Sequence, residues 1–520
     1  MLDRFFNNRF FLLYILPFLI GSLSVLSFQP FNFTIINFFI LPIFFYLVVL
    51  IKKKSKSVYR KKPYKKNLFI LGTSFGFGFY LCGLHWITNS LTFDDSFKIL
   101  IPFGLILIPL FLSLFFSLAV LIAGPFLNFN VISIILFSGI LALFDYFRAK
   151  MLTGFPWNLW VYSLSSMTEI IQILNVIGLF AFNLITITIF MLPASFLFKT
   201  SFIKKSINFT YILIISLFLY IFGNYTINQN QKKILKENDK FYIKVISPNF
   251  ELKYNMNLNE IDERLGKLIK YSNPNKDLKT LFVWPEGVFA GYNYSEFYNF
   301  KNLISKNFDD KHYILLGINR LNEEKDGTYN SLIIINNQMQ VIQEYKKQKL
   351  VPFGEFLPFE KMFSKIGFKK ITEGYGSFLK GSEQENLKID KLNILPLICY
   401  EIIFTNLIQK SSENTNLIIN ISEDGWFGNS IGPHQHFVKG IYRAIEQNSF
   451  LIRSANKGIS AIINNKGIIL KQLNSNETGN IELEVPLIKS ENKNKNDLIF
   501  FVLLITYIFT FIYYNKKNDV

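Results

Sequence analysis

Long apolar stretches fill the first 226 residues of the chain and recur once near its carboxyl end. A helix needs about 20 mostly apolar residues to span a bilayer. The stretches of comparable length that carry no central charge are 10–28, 34–51, 67–90, 98–123, 130–147, 168–198, 208–226 and 498–514. One such stretch is also typical of a buried core helix, but seven in succession favour a membrane bundle. The pattern therefore predicts an α-helical transmembrane bundle of eight spans.

Basic residues in the short loops predict the orientation of this bundle, because Lys and Arg concentrate on the cytoplasmic side of a membrane. The loop 52–66 holds nine of them and is expected to be cytoplasmic. Counting spans from it places Asp94 and Asp95 outside, Lys204 inside, and residues 227–497 outside. Both termini are then cytoplasmic.

Between residues 227 and 497 the pattern changes to short β-branched and aromatic runs separated by charged and Asn-rich linkers. Such runs predict strands that alternate with helices. The predicted strands are 241–247, 280–285, 312–317, 331–336, 393–398, 416–421 and 459–464. The chain thus divides into a transmembrane domain at 1–226, an α/β domain at 227–497, and a last helix with a short tail at 498–520.

Charge and cysteine usage exclude several classes of protein. The net charge of +18 lies largely in loops that face anionic lipid headgroups, and no nucleic-acid motif accompanies it, so no nucleic-acid partner is expected. Two cysteines, Cys82 in a span and Cys399 in the α/β domain, exclude a disulfide framework and a cysteine zinc site. His434 and His436 give only a weak metal signal, so neither a metal nor a cofactor is expected.

Three side chains that could take part in catalysis follow or end predicted strands. Glu286 comes after Pro285, Lys347 lies in the aromatic, Pro- and Gly-containing segment 345–358, and Cys399 ends an apolar strand. Taken alone, each has an ordinary explanation: a solvated acid for Glu286, a solvent-exposed basic surface for Lys347 and a small buried apolar side chain for Cys399. Together, an acid, an amine and a thiol at strand ends favour a catalytic site.

This order of Glu, Lys and Cys resembles the nitrilase superfamily. The segment Tyr345-x-Lys347-x-x-Leu350-Val351-Pro352-Phe353-Gly354-Glu355, with spans around the domain, is similar to the membrane-integrated apolipoprotein N-acyltransferase family, and the resemblance covers nearly the whole chain. Supporting matches are Gly154-Phe155-Pro156-Trp157, Trp426-Phe427-Gly428, Gly432-Pro433-x-Gln435-His436 and Arg453-Ser454-Ala455-Asn456-x-Gly458.

The resemblance implies a nitrilase-like four-layer αββα sandwich and a set of roles. Cys399 would be the nucleophile, Glu286 the general base and Lys347 the cation that holds the oxyanion. Further residues are expected to support catalysis (Glu355, Tyr400 and Glu401, with the Tyr400 backbone N–H as a second oxyanion donor) or to contact substrate (Trp157, Tyr254, Trp426 and His436).

The resemblance also implies an acyltransferase of the bacterial inner membrane, with its α/β domain in the periplasm. Its acyl donor would be a phospholipid, and its acceptor the N-terminal amine of a diacylated apolipoprotein. Outer loops such as 154–160 are expected to form part of a lipid-facing opening or an interfacial aromatic belt. Two alternatives remain open: a membrane-tethered amidase that hydrolyses C–N bonds with the same triad, and a transporter or scaffold with an inactive domain.

The chain departs from the family at two places. Residues 247–249 read Ser-Pro-Asn, and Tyr254 stands where the family usually has a tryptophan. After the sixth strand the family commonly has Asn-Asp, whereas this chain reads Glu423-Asp424. These changes put contacts with the acceptor in doubt more than the central chemistry.

Overall fold

The computed structural model of the 520-residue chain describes residues 8–55, 64–199, 201–254, 256–324, 327–359, 377–383, 385–410, 414–490 and 497–518. The chain divides into two compact units. A helical unit comprises Met1–Thr226 with Asn496–Val520, and an α/β unit comprises Ile227–Lys495. Each unit is described by itself below.

Apolar helices dominate the helical unit. The longer ones are α1 (Leu16–Leu23), α2 (Asn37–Lys54), α3 (Tyr64–Leu84), α4 (Ile101–Ala123), α5 (Val131–Lys150), α6 (Leu179–Met191), α7 (Phe202–Lys236, which continues into the α/β unit) and α10 (Leu498–Asn518). Within the described ranges, seven helical segments are long and apolar enough to cross a membrane, while Phe11–Ser27 is a shorter apolar helix. The chain is therefore a multi-pass membrane protein, but the predicted count of eight spans is not confirmed.

One predicted span is interrupted by a glycine. The prediction ran continuously over 168–198, whereas short helical turns at Ile170–Ile173 and Leu174–Ile177 precede Gly178, and α6 begins at Leu179. Gly178 has a φ of +78°, which a right-handed helix cannot accommodate. Apolar composition alone does not reveal this break.

The helical unit buries an ion pair on α5. The Arg148 guanidinium lies 2.9 Å from the Asp145 carboxylate one turn earlier, and both side chains are almost fully buried. Asn183 of α6 donates a hydrogen bond of 3.0 Å to the other carboxylate oxygen. Arg148 also donates to the carbonyl of Phe155. The pair therefore links two helices and the loop that follows α5.

Two six-stranded sheets form the centre of the α/β unit. Their strands are β1 (Lys240–Ser247), β2 (Thr280–Val283), β3 (His312–Leu321), β4 (Thr328–Ile335), β5 (Val341–Lys346), β6 (Leu387–Ile389), β7 (Leu392–Ile398), β8 (Leu417–Glu423), β9 (Phe450–Asn456), β10 (Ser460–Ile463), β11 (Ile469–Leu473) and β12 (Gly479–Pro486). The orders are β12-β1-β2-β3-β4-β5 and β11-β10-β9-β8-β7-β6. Each sheet has a central parallel triplet, β1-β2-β3 or β7-β8-β9, flanked by antiparallel strands. In each triplet the carboxyl ends therefore meet at one edge.

The two sheets pack face to face with helices outside. Their shared core is formed by aliphatic residues such as Ile243, Leu281, Ile394 and Ile419. Helix α8 (Leu258–Ser272) covers the outer face of the first sheet, and α9 (Gly432–Gln447) lies against β9 of the second. Short helices at Tyr294–Phe297, Lys301–Asn307 and Thr405–Gln409 complete the unit. This arrangement confirms the predicted αββα sandwich.

The sequence of α8 explains why it forms and packs as it does. Asn257 and Glu260 form a reciprocal capping box at its start, which satisfies exposed backbone N–H groups. Ile261, Leu265 and Leu268 repeat at helical spacing and form one buried stripe. The helix ends at Asn273, whose φ of +39° is left-handed.

The seven predicted strands are present with shifted ends, and five strands were missed. β2 stops at Val283, two residues earlier than predicted, and β3 continues to Leu321. The missed strands are β5, β6, β9, β11 and β12. β9 contains Arg453 and Asn456, four of the five residues of β11 are exposed, and polar and apolar residues alternate along much of β12. Apolar runs therefore reveal uniformly apolar strands better than strands that carry charged, polar or exposed residues.

Candidate active site

The three predicted catalytic residues lie within three residues of the carboxyl ends of strands in the two sheets. Glu286 follows β2 of the first sheet after Trp284 and Pro285, and Lys347 is the residue after β5. Cys399 follows β7 of the second sheet and opens a short 3₁₀ turn, Cys399–Ile403. Because the sheets pack face to face, loops from both sheets contribute to one site.

Lys347 is buried between two carboxylates. Its Nζ lies 2.8 Å from Oε1 of Glu355 and 3.4 Å from Oε1 of Glu286, and its side chain is 1% exposed. Burial favours the neutral amine, but the charges of Glu286 and Glu355, together with Cys399, outweigh it and raise the pKa of Lys347 above its ordinary value. Lys347 is therefore a fixed cation.

Asn330 of β4 completes the polar cluster around Lys347. Its side-chain amide donates to Oε1 of Glu286 at 2.8 Å and to Oε1 of Glu355 at 2.9 Å. Its carbonyl accepts a hydrogen bond of 2.9 Å from the Lys347 backbone N–H. Oε2 of Glu286 accepts from the Glu423 backbone N–H at 3.2 Å. The base predicted from sequence is thus held from both sheets.

Glu355 belongs to the loop that follows the lysine. Its second carboxylate oxygen accepts a hydrogen bond of 2.9 Å from the Val351 N–H, and its backbone N–H donates to the Val351 carbonyl at 2.8 Å. The Pro- and Gly-containing segment folds back on itself and presents Glu355 to Lys347. A supporting position beside the lysine is what the sequence predicts for Glu355.

The Cys399 thiol lies within the field of the same charges. Burial raises the pKa of Cys399, and the negative charge of Glu286 adds to this effect, while Lys347 opposes it. The thiol is therefore protonated at rest, so it needs a base at the moment of attack. Cys399 also has a φ of +48°, a left-handed conformation that costs on the order of 1–3 kcal/mol in a residue other than glycine.

Glu401 forms hydrogen bonds that link the residues after Lys347 to the turn that begins at Cys399. One of its carboxylate oxygens accepts from the backbone N–H groups of Gln348 and Lys349 at 2.7 and 2.9 Å. The other accepts from the Ile398 N–H at 2.9 Å, and the Tyr345 hydroxyl lies 3.0 Å from both oxygens. Burial raises the pKa of Glu401 to about 7, against the opposing effect of the N–H donors. Glu401 is thus a buried support.

Comparisons with known proteins agree with this architecture. The family described as Apolipoprotein N-acyltransferase N-terminal domain matches residues 20–192, and the family Carbon-nitrogen hydrolase matches residues 256–491. The apolipoprotein N-acyltransferase of Rhodopseudomonas palustris is 30% identical over 487 residues, which cover 91% of this chain and 89% of that protein. That of Rickettsia typhi is 31% identical over 515 residues, which cover 96% and 99%.

The chain belongs to the apolipoprotein N-acyltransferase family. The predicted resemblance is thereby confirmed. Among solved structures, Nit3 of Saccharomyces cerevisiae, from the nitrilase superfamily, is similar with a TM-score of 0.36 and 16% identity, covering 48% of this chain and 91% of that chain. A carbon-nitrogen hydrolase of Helicobacter pylori G27 is similar with a TM-score of 0.37 and 13% identity, covering 48% and 89%.

The predicted substrate contacts have unequal surroundings in this member of the apolipoprotein N-acyltransferase family. The rings of Tyr254 and Trp426 lie 6.5 Å apart and are partly exposed. Trp157 belongs to the helical unit, is 1% exposed and packs 4.7 Å from Trp86. His436 is fully buried and bonded to the Cys399 carbonyl. Tyr254 and Trp426 are thus accessible to solvent, whereas Trp157 and His436 are buried, and substrate contact at these four residues remains a prediction.

Tyr400, the last of the predicted supports, sits between Cys399 and Glu401. Its ring packs edge-on against Phe404 at 5.1 Å, and burial raises the pKa of its hydroxyl. The side chain therefore stays a neutral phenol. The role predicted for its backbone N–H as an oxyanion donor remains a prediction.

Asn330 and Asp424 are polar site residues to which the sequence reasoning assigned no role. Asn330 is a buried amide in strand β4, just before its apolar run at 332–335; amides are disfavoured in strands, and this is the signal that could have identified it. Asp424 is buried beside His436 at 3.0 Å.

Within the described part of the chain, no group of three or more His, Cys, Asp or Glu residues is arranged to hold a metal ion.

Proposed function

We propose that the chain transfers an acyl chain from a membrane phospholipid to the α-amino group of the N-terminal diacylglyceryl-cysteine of apolipoproteins. The acyl group would pass through a thioester on Cys399. The observation that carries the proposal is the buried Lys347 between Glu286 and Glu355, together with the thiol whose pKa responds to Glu286 and Lys347. Membership of the family supplies the substrate classes.

The first step is activation of the thiol. Glu286 accepts the proton of Cys399, and the sulfur attacks the carbonyl carbon of the phospholipid ester. Lys347 stays charged throughout, so it offsets negative charge as it develops in the site. A base of this kind contributes typically 10²- to 10⁴-fold to a rate.

The second step is stabilisation of the tetrahedral intermediate. Attack places negative charge on the former carbonyl oxygen, which the Lys347 ammonium and the Tyr400 N–H would receive. One well-placed donor is worth roughly 3 kcal/mol in such a site. When the ester C–O bond breaks, the leaving glycerol oxygen takes the proton from Glu286 and departs as a lysophospholipid.

The third step repeats the first with an amine as nucleophile. The α-amine of the acceptor loses a proton to Glu286 and attacks the thioester carbon. Collapse of the second intermediate breaks the C–S bond, and the proton returns to the sulfur. The donor therefore leaves before the acceptor reacts, which predicts ping-pong kinetics.

We also infer that the α/β unit lies on the periplasmic side of the bacterial inner membrane, with both termini in the cytoplasm. The distribution of Lys and Arg supports this orientation, with nine basic residues in the loop 52–66. A phospholipid substrate fits such a location, because an acyl chain loses about 0.8 kcal/mol per CH₂ on transfer into water.

The experiment that tests the proposed function separates acyl transfer from hydrolysis. The purified full chain is incubated in detergent with a phospholipid labelled in its acyl chain, with and without a diacylated lipopeptide that has a free N-terminus. We expect slow release of label without the lipopeptide and rapid N-acylation with it. Rapid release of free fatty acid that is unaffected by the amine, or cleavage of simple amides instead, would overturn the proposal in favour of an amidase.

A further inference from the structure

The backbone of Cys399 requires support from outside its own turn. A residue other than glycine keeps a φ of +48° only where its surroundings hold it. On the amino side, the Ile398 N–H donates to Glu401 at 2.9 Å. On the carboxyl side, the Cys399 carbonyl lies 3.2 Å from Nε2 of His436. His436 therefore fixes the direction of this carbonyl.

The direction of the Cys399 carbonyl also fixes the direction of the neighbouring Tyr400 N–H group. The peptide unit between Cys399 and Tyr400 is planar, so its C=O and N–H point in opposite directions. A contact that holds the Cys399 carbonyl on one side thus aims the Tyr400 N–H to the other. That N–H is the second oxyanion donor of the proposed mechanism.

Two charged groups hold the other nitrogen of the His436 ring. Nε2 faces a carbonyl oxygen and must carry a hydrogen to bond with it. Nδ1 lies 3.0 Å from Oδ1 of Asp424 and 3.1 Å from Nη2 of Arg453. Burial lowers the pKa of His436, as does the charge of Arg453, while Asp424 opposes this shift. The ring is consequently held at both of its nitrogens, by the Cys399 carbonyl at Nε2 and by Asp424 and Arg453 at Nδ1.

Arg453 is itself held on several sides. It lies 2.7 and 3.0 Å from the two oxygens of Asp424, and its Nε donates to the Ile459 carbonyl at 3.1 Å. The Ser422 hydroxyl donates to Asp424 at 2.6 Å. Arg453, Asp424 and His436 are all fully buried, and the arginine and aspartate charges balance. This group has no open surface for a substrate, so its role must be exerted through what it holds.

We propose that His436 is a positioning residue that aims the Tyr400 N–H at the oxyanion by holding the Cys399 carbonyl, with Arg453 and Asp424 fixing the orientation of its ring. The inference rests on the proposed function and deepens it. It replaces the substrate contact expected for His436 with an indirect role in forming the thioester.

The test compares two reactions of the same sulfur. Acylation by phosphatidylethanolamine in detergent micelles passes through an oxyanion, whereas alkylation by iodoacetamide does not. The variants are His436→Leu, which cannot donate to the carbonyl, and His436→Gln, whose amide can. Rates are measured by mass spectrometry of the peptide containing Cys399, in single turnover on the full chain.

His312 provides a matched control. It is another fully buried histidine of the α/β unit, and its Nε2 lies 2.9 Å from the Asn275 carbonyl, but it is at the amino end of β3, away from the strand ends that carry the site. His312→Leu should acylate at the wild-type rate per folded molecule. His436→Leu should acylate about 100-fold more slowly, as expected for loss of an oxyanion donor, with alkylation changed less than about threefold. The His436→Gln variant should be acylated about tenfold faster than the His436→Leu variant.

Three outcomes would overturn the inference. The first is a folded His436→Leu variant that acylates like the wild type, and the second is an equal loss of acylation and alkylation. If His436→Leu does not fold, His436→Asn replaces it, because the Asn side chain is one methylene shorter than that of Gln. The third outcome is then equal acylation of the His436→Asn and His436→Gln variants. Absence of acylation in the wild-type chain would instead overturn the proposed function.

Discussion

The buried ion pair of the helical unit and the buried charged group around Lys347 in the α/β unit differ in their balance of charge. In the helical unit, Arg148 faces Asp145 at 2.9 Å, and the other hydrogen bonds of the pair go to neutral groups, the Asn183 amide and the Phe155 carbonyl. In the α/β unit, Lys347 faces two carboxylates, Glu286 at 3.4 Å and Glu355 at 2.8 Å. The first pair has one charge of each sign, and the second group has an additional anion.

This difference distinguishes the ion pair on α5 from the group to which catalysis is assigned in the proposed function. In a buried pair with one charge of each sign, both groups stay charged, and removing one partner leaves an uncompensated charge. A cation with two carboxylates can hold one of them firmly and leave the other able to accept a proton. Nζ of Lys347 lies 2.8 Å from Glu355 and 3.4 Å from Glu286, so Glu355 is the more closely bound carboxylate and Glu286 is the one proposed to accept the proton.

The largest effect is expected from removal of the additional anion. Glu286→Gln keeps the volume of the side chain but leaves Lys347 with Glu355 alone, which makes the group balanced like the pair on α5. Acylation of Cys399 should fall by about 10³-fold or more, because the thiol loses its base. Single-turnover acylation with labelled phospholipid measures this. Retention of more than a tenth of the wild-type rate would show that Glu286 is not the base.

A somewhat smaller effect is expected from removal of the cation. Lys347→Met preserves most of the buried stem and removes an oxyanion donor, so acylation should fall about 10²- to 10³-fold. Lys346→Met, at the neighbouring position where the lysine contacts the Tyr329 ring, is the control and should stay near the wild-type rate. Equal losses in both variants would contradict a specific role for Lys347.

The balanced pair should affect stability rather than chemistry. Arg148→Met leaves Asp145 buried without its partner, so the free energy of unfolding should fall by about 3 kcal/mol, while the double variant Asp145→Asn with Arg148→Met should recover part of it. Thermal unfolding in detergent gives the comparison. Activity per folded molecule should remain within about twofold of wild type. If the single variant lost acylation without losing stability, the contrast between the two pairs would be wrong.

The smallest effect, counted for a change of one pH unit, is a pH dependence of stability that arises at Glu423. Burial raises the pKa of this carboxyl to about 8 from an ordinary 4.5, against hydrogen bonds from Asn456 and Gly425. The protonated form is favoured by folding, so its stabilisation is fully present below about pH 4.5 and is lost as pH rises through 8. The loss amounts to at most about 1.4 kcal/mol per pH unit. Glu423→Gln should flatten the dependence of thermal stability on pH between 5 and 9, and parallel curves for both proteins would contradict it.

The sequence predicts the features of this molecule that depend on local pattern. Apolar length predicted the membrane helices, and apolar runs predicted β2 and β7, whose ends carry Glu286 and Cys399. The break at Gly178 was missed because a single glycine within an apolar stretch does not by itself indicate a left-handed φ. β9 was missed because its buried Arg453 makes it look polar.

Long-range polar contacts were the least predictable part of the site. Asn330 lies far from both Glu286 and Glu355 in sequence, and only the pairing of β4 with β5 places it beside Lys347. His436 was expected at a substrate surface, whereas α9 carries it behind the Cys399 carbonyl. These contacts depend on tertiary packing, so no spacing along the chain could indicate them.

The central claim is that the sulfur of Cys399 carries the acyl group between donor and acceptor. Mass spectrometry of the full chain after incubation with phospholipid alone tests it most directly. An adduct of one acyl chain on the peptide containing Cys399, which disappears when a lipopeptide amine is added, is the predicted result. An unmodified Cys399 during active turnover, or an adduct that the amine does not remove, would contradict the account.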